Sequence, residues 1–250
     1  MKDKCDKMWS EQAGTRELSP TYYISVSWLK KILKDVHGKV LEIGCGDCAK
    51  VRYFKSSDFS YVGIDYSDVA VRKAKERGYN VQKKSATSFH FREKFDYIIS
   101  VDMLEHVRDD EKVIEQCRDN LKSGGKLILT TVTNQKLFGP IDVEAGHFRR
   151  YDPDSLIKLI EKNRFTIDKV YFTGFPLGRL YRGFQYFVGK DRKAGNGPRK
   201  NVKYVPKGVK LKIAYRILPL ILPVFKIDNI FSSRMFGKWS RGIIIIATRT

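Results

Sequence analysis

Glu42, Gly44, Gly46 and Asp65 are the residues whose types and spacing could do chemistry. They lie in Val40-Leu41-Glu42-Ile43-Gly44-Cys45-Gly46-Asp47-Cys48 and at the end of Tyr61-Val62-Gly63-Ile64-Asp65. Two glycines spaced by one let the chain turn sharply after an apolar run and meet a ligand with no Cβ in the way. A carboxylate at Asp65, closing the next apolar run, can accept hydrogen bonds from both hydroxyls of a ribose. This is nucleoside-binding geometry. Gly44-x-Gly46-x-x-Ala49 with Asp65 downstream also satisfies the dinucleotide fingerprint, so the glycines alone leave a nicotinamide cofactor and an oxidoreductase open. Cys45-x-x-Cys48 has the spacing of a redox or zinc pair, but no second cysteine pair lies nearby and no metal is expected.

The elements that must position these residues alternate in period. Apolar runs of strand length and segments of helical period follow one another from about residue 21 to residue 173, the pattern of repeated βα units in an α/β fold with a parallel sheet. A helix is expected at Thr21 to Lys34, where Ile24, Trp28, Ile32 and Leu33 share one face. Strands are expected at Lys39 to Ile43, Tyr61 to Ile64, Asn80 to Gln82, Phe95 to Val101, Lys126 to Thr133 and Thr166 to Phe172. Between the last two of these, Asp152 should cap a helix that has Pro153 in its first turn. Gly242-Ile243-Ile244-Ile245-Ile246-Ala247 is apolar on both faces, as a strand inside the sheet requires.

The ordered set of motifs resembles class I S-adenosylmethionine (SAM) dependent methyltransferases. Glu42-x-Gly44-x-Gly46 is similar to their first motif, with the acid two positions before the first glycine. Tyr61 to Ser67 resembles the second motif, Phe95 to Ser100 the fourth strand, Leu104-Glu105-His106-Val107 the turn after it, and Leu121-Lys122-Ser123-Gly124-Gly125-Lys126-Leu127 the glycine turn entering the fifth strand. The resemblance covers residues 38 to 173 and the last strand, and points to the small-molecule branch that includes the quinone-biosynthesis methyltransferases. It implies a Rossmann-like, seven-stranded, mostly parallel sheet with helices on both faces. It also implies SAM as cofactor, held by Glu42, Gly44, Cys45, Gly46, Asp65, Tyr66, Ser85, Ala86, Thr87, Val101 and His106. Two positions depart from the pattern: Cys48 stands where the family has a third glycine, and Ser85 where an acid often faces the adenine amino group. The Asn/Asp-Pro-Pro-Tyr tetrad of many amino-group methyltransferases is absent, which points away from methylation of a nucleic-acid base amine.

On the acceptor side, Gly146-His147-Phe148-Arg149-Arg150-Tyr151 follows the fifth strand, at the carboxyl edge where ligands bind in open α/β sheets. His147 is the candidate base for a hydroxyl acceptor. Arg149, Arg150 and Tyr151 are candidates for holding that acceptor, which the two arginines would suit if it were anionic. A catalytically silent SAM-binding module is the remaining alternative.

Charge marks one further segment. The chain has 48 Lys and Arg against 28 Asp and Glu, a balance of +20, and residues 174–241 hold 16 basic and 2 acidic residues, or +14 of that total. This segment reads as an insertion between the last two strands, giving an organisation of 1–37 (N-terminal helical segment), 38–173 (core), 174–241 (insertion) and 242–250 (final strand). A basic tract, Lys190 to Lys212, adjoins an apolar stretch, Leu211 to Phe225, which Pro219, Pro223 and Arg216 make unfit to span a bilayer. Such a pairing suits contact with an anionic membrane surface and a lipid-linked acceptor, or a lid over the pocket; an RNA would use the charges alone. The charged start, MKDKCDKMWSEQ, has no apolar core segment, and four scattered cysteines make no disulfide framework, so a cytoplasmic location is expected. Nothing in the sequence sets an oligomeric state.

Overall fold

A computed structural model of the chain describes residues 6, 9–10, 20–53, 58–181, 237 and 239–250. In chain order its main elements are α1 (Pro20–Ile32), β1 (Gly38–Ile43), β2 (Phe59–Asp65), α2 (Asp68–Glu76), β3 (Val81–Lys83), β4 (Phe95–Val101), α3 (Asp110–Asn120), β5 (Leu121–Val132), α4 (Pro140–Ala145), α5 (Pro153–Lys162), β6 (Phe165–Thr173) and β7 (Gly242–Arg249). The seven strands form one sheet in the order β3-β2-β1-β4-β5-β7-β6. Strands β1 to β5 pair in parallel, while β7 runs antiparallel to both β5 and β6.

Strand alternation splits the core into two layers. Ile98 and Leu127 point to one face, where they meet Val113, Ile114 and Cys117 of α3 and Leu156 and Ile160 of α5. Their neighbours Ile99 and Ile128 point to the other face and pack on Leu29 and Leu33. The period of two in the strands and of 3.6 in the helices thus gives helices on both faces. Asp152 caps α5 through the Ser155 amide (3.0 Å), with Pro153 in the first turn. Strand β7 sits inside the sheet, and Ile243, Ile244, Ile245 and Ala247 are all buried.

Strand β5 begins five residues before the expected Lys126, because the Gly124-Gly125 turn, with Gly124 at φ +73°, keeps Leu121 in register with Phe95. Helix α1 ends at Ile32 and tightens into a 3-10 turn, Leu33–Asp35, which still buries Leu33.

The chain leaves β6 at Thr173 and re-enters the sheet at Gly242. The two ends of the intervening segment lie together, since the Phe175 and Trp239 rings stack (6.1 Å) and Arg241 donates to the Gly178 carbonyl (3.2 Å). The basic tract and the apolar stretch fall within residues 182–236, outside the described residues. Among those described, no helix is long and apolar enough to cross a membrane.

Candidate active site

The β1 and β2 ends of the sheet are assembled by backbone. Gly44 and Gly46 both adopt left-handed conformations (φ +66° and +58°), which L side chains resist. Their shape is fixed by the neighbouring strand, because the Gly44 and Cys45 amides donate to the Ile64 carbonyl (2.8 and 3.1 Å). Asp65 stitches the loop to the start of α2: one carboxylate oxygen accepts the Gly46 amide and the other the Ser67 amide, each at 2.9 Å. Burial raises the Asp65 carboxyl above its ordinary value, these amides oppose the rise, and the Asp6 charge adds to it. Tyr66 is exposed beside it.

Glu42, two residues before Gly44, is 1% exposed. Its Oε2 accepts from the Tyr61 hydroxyl (2.7 Å), while its Oε1 is buried with no hydrogen-bond partner. Burial pushes its carboxyl up to about 7 against the pull of Lys50. At the β3 end, the Ser85 and Thr87 hydroxyls bond each other (2.9 Å) beside the half-buried Ala86. Val101 ends β4 and gives its carbonyl to Lys50 Nζ (3.0 Å). The expected cofactor residues are therefore brought to one edge of the sheet, except that His106 packs against His147 instead.

Side chains assemble the second half. After β4 the chain passes through Asp102 at φ +51° into a 3-10 turn, Leu104–His106. Asp142 of α4 is fully buried, accepts from His147 Nδ1 (2.9 Å) and from the Gly139 amide (3.0 Å), and forms an ion pair with Arg150 (2.7 Å). A carboxylate only accepts, so Nδ1 of His147 carries the hydrogen and Nε2 is the basic nitrogen when the ring is neutral. The His106 ring packs edge-on against His147 (centroids 4.8 Å apart), with its Nδ1 on the Gly146 carbonyl (3.3 Å). Glu105 is buried beneath them and accepts from Thr131 Oγ1 (2.8 Å). Burial and the Asp102 charge raise its carboxyl to about 7, and His147 opposes the rise. Glu105, His106 and His147 offer ligand atoms within 4.8 Å of one another, the single such group of three among the described residues.

Of the three residues expected to hold an acceptor, two are turned into the structure and the third, Arg149, is tied down while partly exposed. Arg150 is 3% exposed and is spent on Asp142 and on the Thr133 carbonyl (3.1 Å). Tyr151 is 6% exposed and donates to Asp110 (2.9 Å). Arg149 pairs with the same Asp110 and with the Arg108 carbonyl. A desolvated arginine must be paired, which is why Arg150 faces the buried Asp142 rather than a ligand.

Sequence reasoning missed Asp142, Tyr61, Trp9 and Asp6. Asp142 and His147 are five residues apart across a helix end closed by Gly146, and that spacing of acid, glycine and histidine was the available signal. Trp9 is 9% exposed and packs on Gly46, so closely that a Cβ there would collide with its indole ring. Its carbonyl accepts from Lys73 Nζ (2.5 Å), and Asp6 accepts from the Ser67 hydroxyl (2.5 Å) and the Val69 amide (3.3 Å). No periodicity announces such contacts.

A buried carboxylate with one orphaned oxygen, a glycine turn and a second carboxylate at the neighbouring strand end suit a cationic, ribose-bearing ligand, as a class I methyltransferase site requires. Residues 17–170 match the family model described as a methyltransferase domain, and the chain belongs to that family. Its cofactor is accordingly SAM. The chain is 30% identical over 146 residues to the ubiquinone biosynthesis O-methyltransferase of Histophilus somni, covering 52% of this chain and 60% of that protein. It is 29% identical over 149 residues to the enzyme of the same name from Pseudomonas aeruginosa, covering 55% and 64%. The matched part thus spans about three-fifths of these relatives. Among solved structures, a Thermotoga maritima SAM-dependent methyltransferase, described as a possible histamine N-methyltransferase, superposes with a TM-score of 0.65 at 18% identity, covering 100% and 99% of the two chains. A Haloferax volcanii methyltransferase solved with its Trm112 activator superposes at 0.61 with 11% identity, covering 99% and 96%. These likenesses are of fold.

Proposed function

We propose that the chain methylates a hydroxyl oxygen of a small-molecule or lipid-linked acceptor, with His147 as general base. The observation that carries this is the Asp142–His147 pair, which fixes the ring tautomer and leaves Nε2 to take a proton. The names of the relatives, O-methyltransferases of ubiquinone biosynthesis, support oxygen as the acceptor atom. When bound, SAM supplies a methyl carbon activated by its sulfonium and departs as S-adenosylhomocysteine. Gly44, Cys45 and Gly46 would give the backbone surface for it, Asp65 would take its ribose, Glu42 would receive its amino group, and Tyr66, Ser85, Ala86, Thr87 and Val101 would border the nucleoside. His147 Nε2 removes the acceptor's hydroxyl proton as the oxygen bonds to the methyl carbon, and Asp142 balances the imidazolium so formed. Arg150 and Tyr151 position this pair rather than touch the acceptor.

His147→Ala should lower turnover by about 10²- to 10⁴-fold, the span of a general base, while S-adenosylhomocysteine affinity stays within twofold. Equal loss of cofactor binding would move His147 into the cofactor half. A second reading, favoured by the close grouping of Glu105, His106 and His147, makes His147 a ligand to a divalent cation. Loss of turnover in EDTA with recovery in added Mg²⁺ or Zn²⁺ would select it.

The segment 174–241 is proposed as the element that brings this site to its acceptor at an anionic membrane surface. Its +14 balance and the neighbouring apolar stretch support this. Salt-sensitive sedimentation with anionic liposomes, lost when residues 190–225 are removed, is the expected result. Tight RNA binding with no liposome binding would overturn it.

A further inference from the structure

Among the described residues, none supplies a cation to the free oxygen of Glu42. The charged and titratable groups facing it are Lys50 and Asp47 from the loop after β1, Tyr61 and Asp65 from β2, and the Cys45 thiol. Lys50 is the one cation of this set, yet its ammonium is hydrogen-bonded to the Val101 carbonyl (3.0 Å), and Glu42 Oε1 stays without a hydrogen-bond partner. A buried polar atom left in that state costs free energy unless something else completes it. Tyr61 accounts for the other oxygen. Its hydroxyl donates to Oε2 at 2.7 Å and lies 3.3 Å from Cys48 Sγ. The missing side chain of Gly63 makes room for it, since a Cβ there would stand 3.1 Å from the Tyr61 hydroxyl and 2.7 Å from Cys45 Sγ.

We propose that Tyr61 is a positioning residue for cofactor capture: its hydroxyl pins Oε2 of Glu42 and so presents Oε1 to the α-ammonium group of the cofactor's amino-acid arm. This rests on the reading of Glu42 as the amino-group receptor. A pinned carboxylate cannot rotate to share both oxygens with Tyr61, and its remaining acceptor keeps one direction. The same hydrogen bond favours the ionised form of a group that burial pushes up to about 7. Capture of the ammonium therefore weakens as pH falls below neutrality, because a neutral carboxyl offers the cation no opposite charge.

The test compares two probes. S-adenosylhomocysteine carries the amino-acid arm; 5′-methylthioadenosine keeps the nucleoside and thioether and lacks that arm. In the parent protein, homocysteine-probe affinity should fall between pH 8.5 and pH 6 while methylthioadenosine affinity stays flat. Tyr61→Phe should move the fall to higher pH, weakening the homocysteine probe about tenfold at pH 6.5 and about twofold at pH 8.5, with methylthioadenosine unchanged. Thermal melting of each variant reports folding separately. A purely structural Tyr61 would weaken both probes alike or leave the pH profile where it was, and either result overturns the proposal. Glu42→Gln distinguishes the underlying reading: if it binds the homocysteine probe as the parent does, Glu42 is not the receptor. If it loses that probe while Tyr61→Phe keeps the parent profile, only the role of Tyr61 fails. Should Tyr61→Phe not fold, a parallel fall for both probes in the parent would still overturn the proposal, since it removes the amino-acid arm from the argument.

Discussion

Backbone builds the half of the site proposed for the cofactor, whereas side chains build the half proposed for the acceptor. Gly44, Gly46 and the Ser67 amide are held by the Ile64 carbonyl and Asp65, and one carboxylate oxygen, Glu42 Oε1, waits without a partner. On the other side Asp142 accepts from His147 and the Gly139 amide and forms an ion pair with Arg150. The first half keeps an unmet acceptor; the second keeps the basic nitrogen of His147, and the buried Arg150 Nε and Nη2 also lack hydrogen-bond partners. Cofactor binding and proton removal should therefore respond separately to mutation.

The strongest break in that comparison is Asp142→Ala. It strips the counter-ion from Arg150, which is 3% exposed, and an uncompensated buried charge costs about 3–5 kcal/mol. Denaturant unfolding should show a loss of that size, with turnover reduced at least as far as in His147→Ala. Asp142→Asn should recover part of the stability and little of the turnover.

Next in size is Glu42→Gln, which should raise stability as it destroys cofactor capture. The folded carboxyl is raised to about 7 from an ordinary 4.5, so the folded state holds its proton more tightly than the unfolded chain does. Stability is then full below pH 4.5 and falls as pH rises toward 7. Each unit is worth about 1.4 kcal/mol, so the variant should be the more stable at pH 8 by at most about 3 kcal/mol. Melting curves at pH 5 and pH 8 check this, and the gap should close at the lower pH. A variant destabilised equally at both would mean that Glu42 is structural.

Asp65→Ala should weaken S-adenosylhomocysteine binding by about 1–3 kcal/mol, by leaving ribose hydroxyls unpaired and releasing the Gly46 and Ser67 amides. Calorimetric titration reads it, and unaltered affinity would remove the ribose from this carboxylate.

The two halves were unequally legible. Gly44 and Gly46 could be read because positive φ selects glycine, and Asp65 because the end of a neighbouring strand has one place in the fold. Strand β7 was legible from its unbroken apolar run, but its antiparallel direction was not, since burial on both faces carries no sign of direction. The half proposed for the acceptor depends on Thr131, Asp142, His147 and Arg150 meeting across turns, and beyond the spacing of Asp142, Gly146 and His147 the sequence carries no sign that this helix acid faces inward. Trp9 and Asp6 reach the glycine loop and the start of α2 from far along the chain, which period and propensity do not encode.

The smallest effect expected is at Arg149, and it sharpens the contrast inside a single tripeptide. Arg150 and Tyr151 are buried, whereas the Arg149 side chain is 32% exposed beside Asp110. Tyr151 also donates to Asp110 (2.9 Å), so the carboxylate keeps a partner when the guanidinium is removed. A partly exposed ion pair whose acid retains another donor is worth about 0–1 kcal/mol, and solvent screens what remains. Arg149→Ala should thus shift unfolding by less than about 1 kcal/mol and leave S-adenosylhomocysteine affinity unchanged, in contrast to Arg150→Ala, which strands the buried Asp142. With an uncharged acceptor, turnover of Arg149→Ala should stay within about twofold of the parent. A tenfold rise in KM confined to anionic acceptors, at unchanged kcat, would show that Arg149 leaves Asp110 when substrate arrives, and would return it to the acceptor contacts that its sequence position suggested.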